Sequence, residues 1–154
     1  MPYTLQAFFA DSTQVAAADL EKALLRLPED KRGWSPSEKA RSALDQTAEC
    51  AMINGSTAAL IQSRTWPANY DFAEFFRAKT ELAQDWNAVK ALLDENTAKL
   101  AATIRAVPDE DLSIEIQMPW GAMTLAKIIA YGYWNMSYHE GQINYIASML
   151  GCLT

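Results

Sequence analysis

The sequence predicts an all-α fold, a four-helix bundle with a long crossover between its second and third long helices and a short connector helix in that crossover. Three observations carry this. Four long stretches place apolar residues at spacings of three and four, the signature of amphipathic helices. The segment between the second and third stretches is too long for a tight helical hairpin. Only one short segment alternates with a period of two. Residues 1–154 read as one domain, with half of the chain apolar and 21% charged, the balance of a packed protein rather than a disordered one.

The first helix is expected over Thr4–Leu27, on a stripe of Leu5, Phe8, Phe9, Val15, Ala16, Leu20, Ala23, Leu24 and Leu27. Pro28 stops it, and Gly33, Pro36 and Ser37 mark a loop. Ser42 is the expected N-cap of the second helix, with Asp45 in its first turn. That helix should run to Ser63, and Gly55 within it points to close packing. In the connector, Trp66 to Lys79, Asp71 and Glu74 cap a short helix carrying Phe72, Phe75 and Phe76. Thr80 is expected to open the third long helix, on a stripe of Leu82, Trp86, Val89, Leu93, Leu100 and Val107, ended by Pro108. A connector that crosses the bundle leaves the second and third helices parallel. Ser113–Met118 alternates as an extended arm or small hairpin, bounded by Pro119 and Gly121. Thr124 caps the last helix, which reaches Gly151 through Leu125, Ile129, Met136, His139, Ile143 and Ile146.

Composition narrows the function. Net charge is -6, and no cluster of Lys and Arg supplies the basic face that phosphate neutralisation requires. Neither nucleic acid nor an anionic membrane surface is an expected partner. No run of 18 apolar residues predicts a membrane span, and Met1–Ala10 lacks the basic start and apolar run of a signal peptide. Cys50 and Cys152 lie far apart without metal-ligand spacing, so two reduced thiols and a cytoplasmic protein are expected. No Gly-x-Ser-x-Gly elbow is present, which argues against a serine hydrolase.

The chain has one histidine, His139. A lone histidine on an apolar stripe is usually a satisfied core residue. Its neighbours raise the interest: Asn135 lies four residues earlier on the same helix face, and Gln142 and Asn144 follow. Polar groups inside a bundle must be hydrogen-bonded or bind something. Glu49, in the middle of the second helix, borders the apolar face and is either a solvated edge residue or a partner for His139. Trp34, Trp134 and Tyr138 are either core or the walls of a cleft beside it.

The segment Tyr138-His139-Glu140-Gly141-Gln142-Ile143 resembles the His-x-Gly-Gln-Ile signature on the last helix of DinB/YfiT-like proteins. Leu27-Pro28-Glu29-Asp30-Lys31 with Gly33-Trp34-Ser35-Pro36 resembles the family's loop after helix one. Val107-Pro108-Asp109-Glu110-Asp111-Leu112 and Pro119-Trp120-Gly121 resemble its approach to the last helix. The resemblance implies a divalent metal held by three histidines. His139 matches one of them, Asn135 stands where its helix partner would be, and Glu49, in Thr47-Ala48-Glu49-Cys50, stands where the histidine of helix two would be. Zinc and nickel favour imidazole and thiolate and accept carboxylate, whereas a neutral amide oxygen is a poor ligand. The Glu49/Asn135/His139 set therefore implies a weak or vestigial Zn or Ni site, or a hydrogen-bonded network with Glu49 accepting from the imidazole.

Two functions follow from that resemblance. One is a metal-dependent transferase or hydrolase of unknown substrate with a degenerate site. The alternative is a non-catalytic, dimeric binding or interaction protein on the same bundle. A small-molecule ligand is expected in the cleft near His139. A homodimer is expected because Phe72, Phe75 and Phe76 add apolar surface to an already full set of faces.

Overall fold

The computed structural model describes residues 2–153. Four long helices, α1 (Leu5–Leu25), α2 (Ala43–Ser63), α4 (Trp86–Arg105) and α6 (Tyr131–Met149), form the bundle. Between them lie α3 (Phe72–Leu82), the strands β1 (Glu115–Met118) and β2 (Gly121–Thr124), and the single-turn α5 (Leu125–Ile129).

Local chemistry sets most of the boundaries. Thr4 accepts a hydrogen bond from the backbone N–H of Ala7, Ser42 from Asp45, Asp85 from Asn87 and Thr124 from Lys127. Each of these side chains satisfies an N–H that the helix itself leaves free. Asp71 does the same for Ala73 and Glu74. At the other end of α2, Arg64 turns into the left-handed region at φ 56° and closes the helix.

Side-chain pairs give the direction of each helix. Asn96 donates to the Ala51 backbone carbonyl, Asn54 meets Thr97 and Gln62 meets Thr103, so the numbers rise together and α2 runs parallel to α4. Asp11 meets Arg105 and Glu21 meets Lys90, so α1 is antiparallel to α4. Phe9 packs on Tyr133, and Arg26 hydrogen-bonds Asn144, so α1 is parallel to α6. The crossover expected from the long connector is present, and residues 64–85 make it.

The core has two apolar halves. One gathers Leu20, Leu24, Leu27, Leu93, Met136 and Ile143. The other gathers Ile61, Leu100, Ile104, Ile116, Leu125 and Ile129 beneath the hairpin. Between them sits a buried polar layer: Asn54 Nδ2 donates to Thr97 Oγ1 at 3.0 Å and approaches Met136 Sδ at 3.4 Å. This layer ties α2 and α4 to one register, because sliding either would cost the Asn54 amide its one oxygen partner.

Three sequence expectations change. Leu5, Phe8 and Val15 are exposed, and α1 instead buries Gln6, Ala10, Thr13 and Ala17. The small residues let α1 approach α6, and Gln6 Nε2 reaches the Val107 carbonyl at 2.9 Å and Asp109 at 2.7 Å. Thr80 does not open the third long helix. It lies inside α3, its hydroxyl bonded to the Phe76 carbonyl, and α4 starts at Trp86 under the Asp85 cap. The last helix is broken at Ala130 into α5 and α6.

Two helical glycines test the packing. A Cβ on Gly132 would lie 2.6 Å from Leu100 Cδ2 and 3.1 Å from Asn54 Oδ1, whereas a Cβ on Gly141 would meet nothing within 4 Å. Gly132→Ala is expected to lose about 1–3 kcal/mol of stability through overpacking. Gly141→Ala should gain roughly 0.5–1 kcal/mol by restricting the unfolded chain. Urea unfolding of the two variants checks both signs, and a stabilised Gly132→Ala would contradict the close approach.

Candidate functional site

The polar centre lies between α2 and α6. Glu49 is a turn and a half into α2, and the antiparallel α6 brings His139 opposite it. His139 is buried, and its Nε2 lies 3.3 Å from Glu49 Oε1. Nδ1 lies 2.8 Å from Gln46 Oε1 and 2.8 Å from Gln142 Oε1. Gln142, three residues after His139, reaches the ring by helical spacing, and Gln46, one turn before Glu49, reaches it across the α2–α6 interface. The ring thus meets two amide oxygens at Nδ1 and the Glu49 carboxylate at Nε2.

On its other side Glu49 is ion-paired. Arg41 Nη2 lies 2.7 Å from Glu49 Oε2, and Arg41 Nε lies 2.6 Å from Asp45 Oδ2. Lys79, the buried lysine of α3, reaches Asp45 Oδ1 at 3.0 Å and stands 4.0 Å from Glu49 Oε2. Two carboxylates and two cations thus close on one another, with a summed charge of zero. Burial by itself opposes the Glu49 charge and is the largest influence. The hydrogen bond to His139 and the charge and hydrogen bond of Arg41 outweigh it together, and hold the carboxyl below its ordinary value of 4.5. Burial, as the largest cause, raises the Tyr131 phenol too, with the Glu49 charge acting in the same direction.

Asn135 is buried one turn before His139, but its Nδ2 donates to Cys50 Sγ at 3.5 Å. Burial, reinforced by the Glu49 charge, pushes the Cys50 thiol far above its ordinary value, so it is a neutral thiol at physiological pH and not a ready metal ligand. Among the three residues expected at the site, Glu49 and His139 touch, and Asn135 is bound to Cys50 instead. Among the described residues, no group of three His, Cys, Asp or Glu side chains is arranged to hold a metal ion. One imidazole, one carboxylate already occupied by a guanidinium and one amide do not fit a tightly bound divalent ion.

A cavity of about 250 Å³ opens beside this centre, and Glu49 forms part of its wall. On α2 the lining residues Glu49, Ile53, Ser56 and Leu60 recur at four, three and four positions, one outward stripe of the helix. The crossover and α3 add Trp66, Tyr70, Phe72, Phe75 and Phe76. The hairpin adds Met118, Trp120 and Met123, with Ile128 and Tyr131 behind them. The cleft walls expected from sequence are elsewhere: Trp134 and Tyr138 stack on each other on the exposed side of α6, and Trp34 packs on the core. Phe72, Phe75 and Phe76 line the cavity rather than forming a separate surplus face. Sequence reasoning missed Arg41, Gln46 and Lys79. Arg41 alone had a signal, the spacing Arg41-Asp45-Glu49, a charged stripe that reads equally well as solvated surface.

The sequence pattern of the DinB superfamily matches residues 12–143. The chain belongs to the DinB superfamily. Its bundle matches that of YfiT from Bacillus subtilis, described as a probable metal-dependent hydrolase with an unusual four-helix bundle topology, at a TM-score of 0.77 and 16% identity over 95% of this chain and 87% of that one. It matches a mycothiol-dependent maleylpyruvate isomerase at a TM-score of 0.68 and 12% identity, covering 93% of this chain and 61% of that one. It also matches the colibactin self-resistance protein ClbS, solved in complex with a double-stranded DNA, at a TM-score of 0.66 and 14% identity over 96% and 98% of the two chains. At such identities the likeness establishes the shared fold. No curated protein matches by sequence.

The ion pairing makes a pH prediction. The folded pKa of Glu49 is depressed, so its contribution to stability is present above the unfolded value near 4.5 and is lost as pH falls through the lower folded value. Glu49→Gln should therefore be less stable than the parent at pH 7, with the gap narrowing as the pH is lowered below about 4.5. Thermal melts of both proteins across that range check it, and a gap that widens towards acid would reverse the assigned sign.

Proposed function

We propose that this DinB-superfamily chain binds a small molecule in the cavity beside Glu49, and that its metal site is degenerate and replaced by a closed ion-pair network. The observation that carries this reading is the 2.7 Å contact between Arg41 Nη2 and Glu49 Oε2. A guanidinium supplies there the positive charge that a metal would bring, and it cannot be removed by titration. A carboxylate held in its ionised form is a good hydrogen-bond acceptor and a poor general base near neutral pH, which favours binding over acid–base catalysis.

A second reading is a transferase or hydrolase that holds zinc or nickel weakly through Glu49, Asn135 and His139. One contact favours it. An imidazole nitrogen and a carboxylate oxygen face each other there at 3.3 Å, two donor types that zinc and nickel accept.

Metal titration separates the two. The wild type should bind Zn and Ni weakly, and Glu49→His combined with Asn135→His should bind them markedly more tightly by supplying three imidazoles. Calorimetry together with elemental analysis of untagged protein reads the outcome. Tight stoichiometric binding by both proteins would overturn the degenerate-site reading in favour of the enzyme. No gain in the variant would show that the three positions do not converge.

We further propose a homodimer, now through α6. Trp134, Tyr138, Tyr145 and Met149 are exposed at spacings of four, seven and four, one outward stripe of that helix. Light scattering should give twice the 17.1 kDa chain mass, and Tyr138→Glu should shift it to the monomer. A wild-type monomer at micromolar concentration would refute the dimer. We propose no nucleic-acid partner, on the ground that acidic residues outnumber basic ones 19 to 13. Among the described residues no helix is long and apolar enough to cross a membrane.

A further inference from the structure

The geometry of the cavity points to its ligand class: a neutral, planar aromatic molecule with one hydrogen-bond donor at its edge, the donor directed at Glu49. This rests on the reading of the protein as a small-molecule binder and specifies what it binds. The crossover and hairpin build the walls from ring edges and faces. Trp66 meets Trp120 edge-on at 5.2 Å, Tyr70 meets Phe72 at 4.8 Å and Phe75 meets Phe76 at 5.7 Å. Such tilted rings leave faces and edges for another ring to complete. At the mouth, Phe72, Phe76 and Trp120 are 45%, 53% and 60% exposed. Large aromatic side chains left uncovered around a concavity mark a place where apolar surface can still be buried.

Charge selects among aromatic ligands. Among the described residues, Glu49 is the only charged one that lines the cavity. Its Oε2 is taken by Arg41, and neither Arg41 nor Lys79 lines the cavity. An anionic ligand would give up its hydration in an apolar cavity and find no cation in the lining to pair with. A cation is also disfavoured. The Asp45, Glu49, Arg41 and Lys79 charges already sum to zero, and Lys79 Nζ stands 5.4 Å from the centre of the Phe76 ring, where an incoming ammonium would find the aromatic face shared with another positive charge. What remains is a neutral donor, a hydroxyl or an aryl N–H, which an ionised carboxylate accepts strongly.

Four naphthalenes with one ring system and different edges test this on the wild-type protein: 2-naphthylmethanol, 2-naphthoate, 2-naphthylmethylammonium and 2-methylnaphthalene, by calorimetry or saturation-transfer NMR. The alcohol should bind most tightly, roughly tenfold better than the carboxylate. Glu49→Gln should weaken the alcohol and bring the alcohol-to-carboxylate ratio towards one. Trp120→Ala, at an exposed turn where folding is least affected, should weaken the alcohol several-fold. A carboxylate or ammonium that binds as well as the alcohol, a 2-methylnaphthalene that equals it, an unchanged ratio in Glu49→Gln, or no binding of any of the four at millimolar concentration would each overturn the proposal. Tight zinc or nickel binding would instead overturn the metal-free reading of the site, so the two failures are told apart.

Discussion

The parallel alignment of α2 and α4 is the constraint from which the rest of the molecule follows. Two adjacent parallel helices cannot be joined by a turn. The chain must return along the full length of α2, about 30 Å for its 21 residues. Residues 64–85 make that journey over the outside of the bundle, and a segment laid on an outside face must bring its own apolar side chains to stay there. Trp66, Tyr70, Phe72, Phe75 and Phe76 are those side chains. They meet the outward stripe of α2 on one side and Trp120 and Met123 of the hairpin on the other. The cavity is the space that three such surfaces leave between them.

The same crossover completes the polar centre. Lys79 is the one buried residue of α3, and it joins Asp45 and Glu49 of α2. A lysine buried without partners would be costly, and the two carboxylates make it tolerable. The link from α3 to the bundle is thus partly electrostatic. It ties the helix that carries three cavity phenylalanines to the carboxylate at the cavity's wall. The cavity wall and the ionic network therefore share α3.

The site also shows how a metal-binding arrangement and a structural network can share one geometry. Glu49 and His139 sit at facing positions of antiparallel helices. The two glutamines hold Nδ1, and the guanidinium holds Oε2. Every polar atom of the pair has a partner from within the chain. Atoms partnered in this way are held in fixed positions at the cavity's wall.

Local sequence determined the helices, their caps at Thr4, Ser42, Asp71 and Thr124, the hairpin, and the facing of Asn135 with His139, because each depends on residues within a turn of one another. The resemblance of Thr47-Ala48-Glu49-Cys50 to a helix-two motif set Glu49 against His139, and the two side chains meet at 3.3 Å. Tertiary structure alone decided which stripe of α1 is buried: Leu5, Phe8 and Val15 have the right period but the wrong side, since the approach of α6 demands Ala10, Thr13 and Ala17 there. It alone decided that Arg41 and Lys79 close on Glu49 and that Asn135 turns to Cys50. Those pairings join residues up to 85 positions apart. Charged residues at helical spacing look the same in sequence whether they face solvent or a neighbouring helix, and only the packing of the helices assigns them a side.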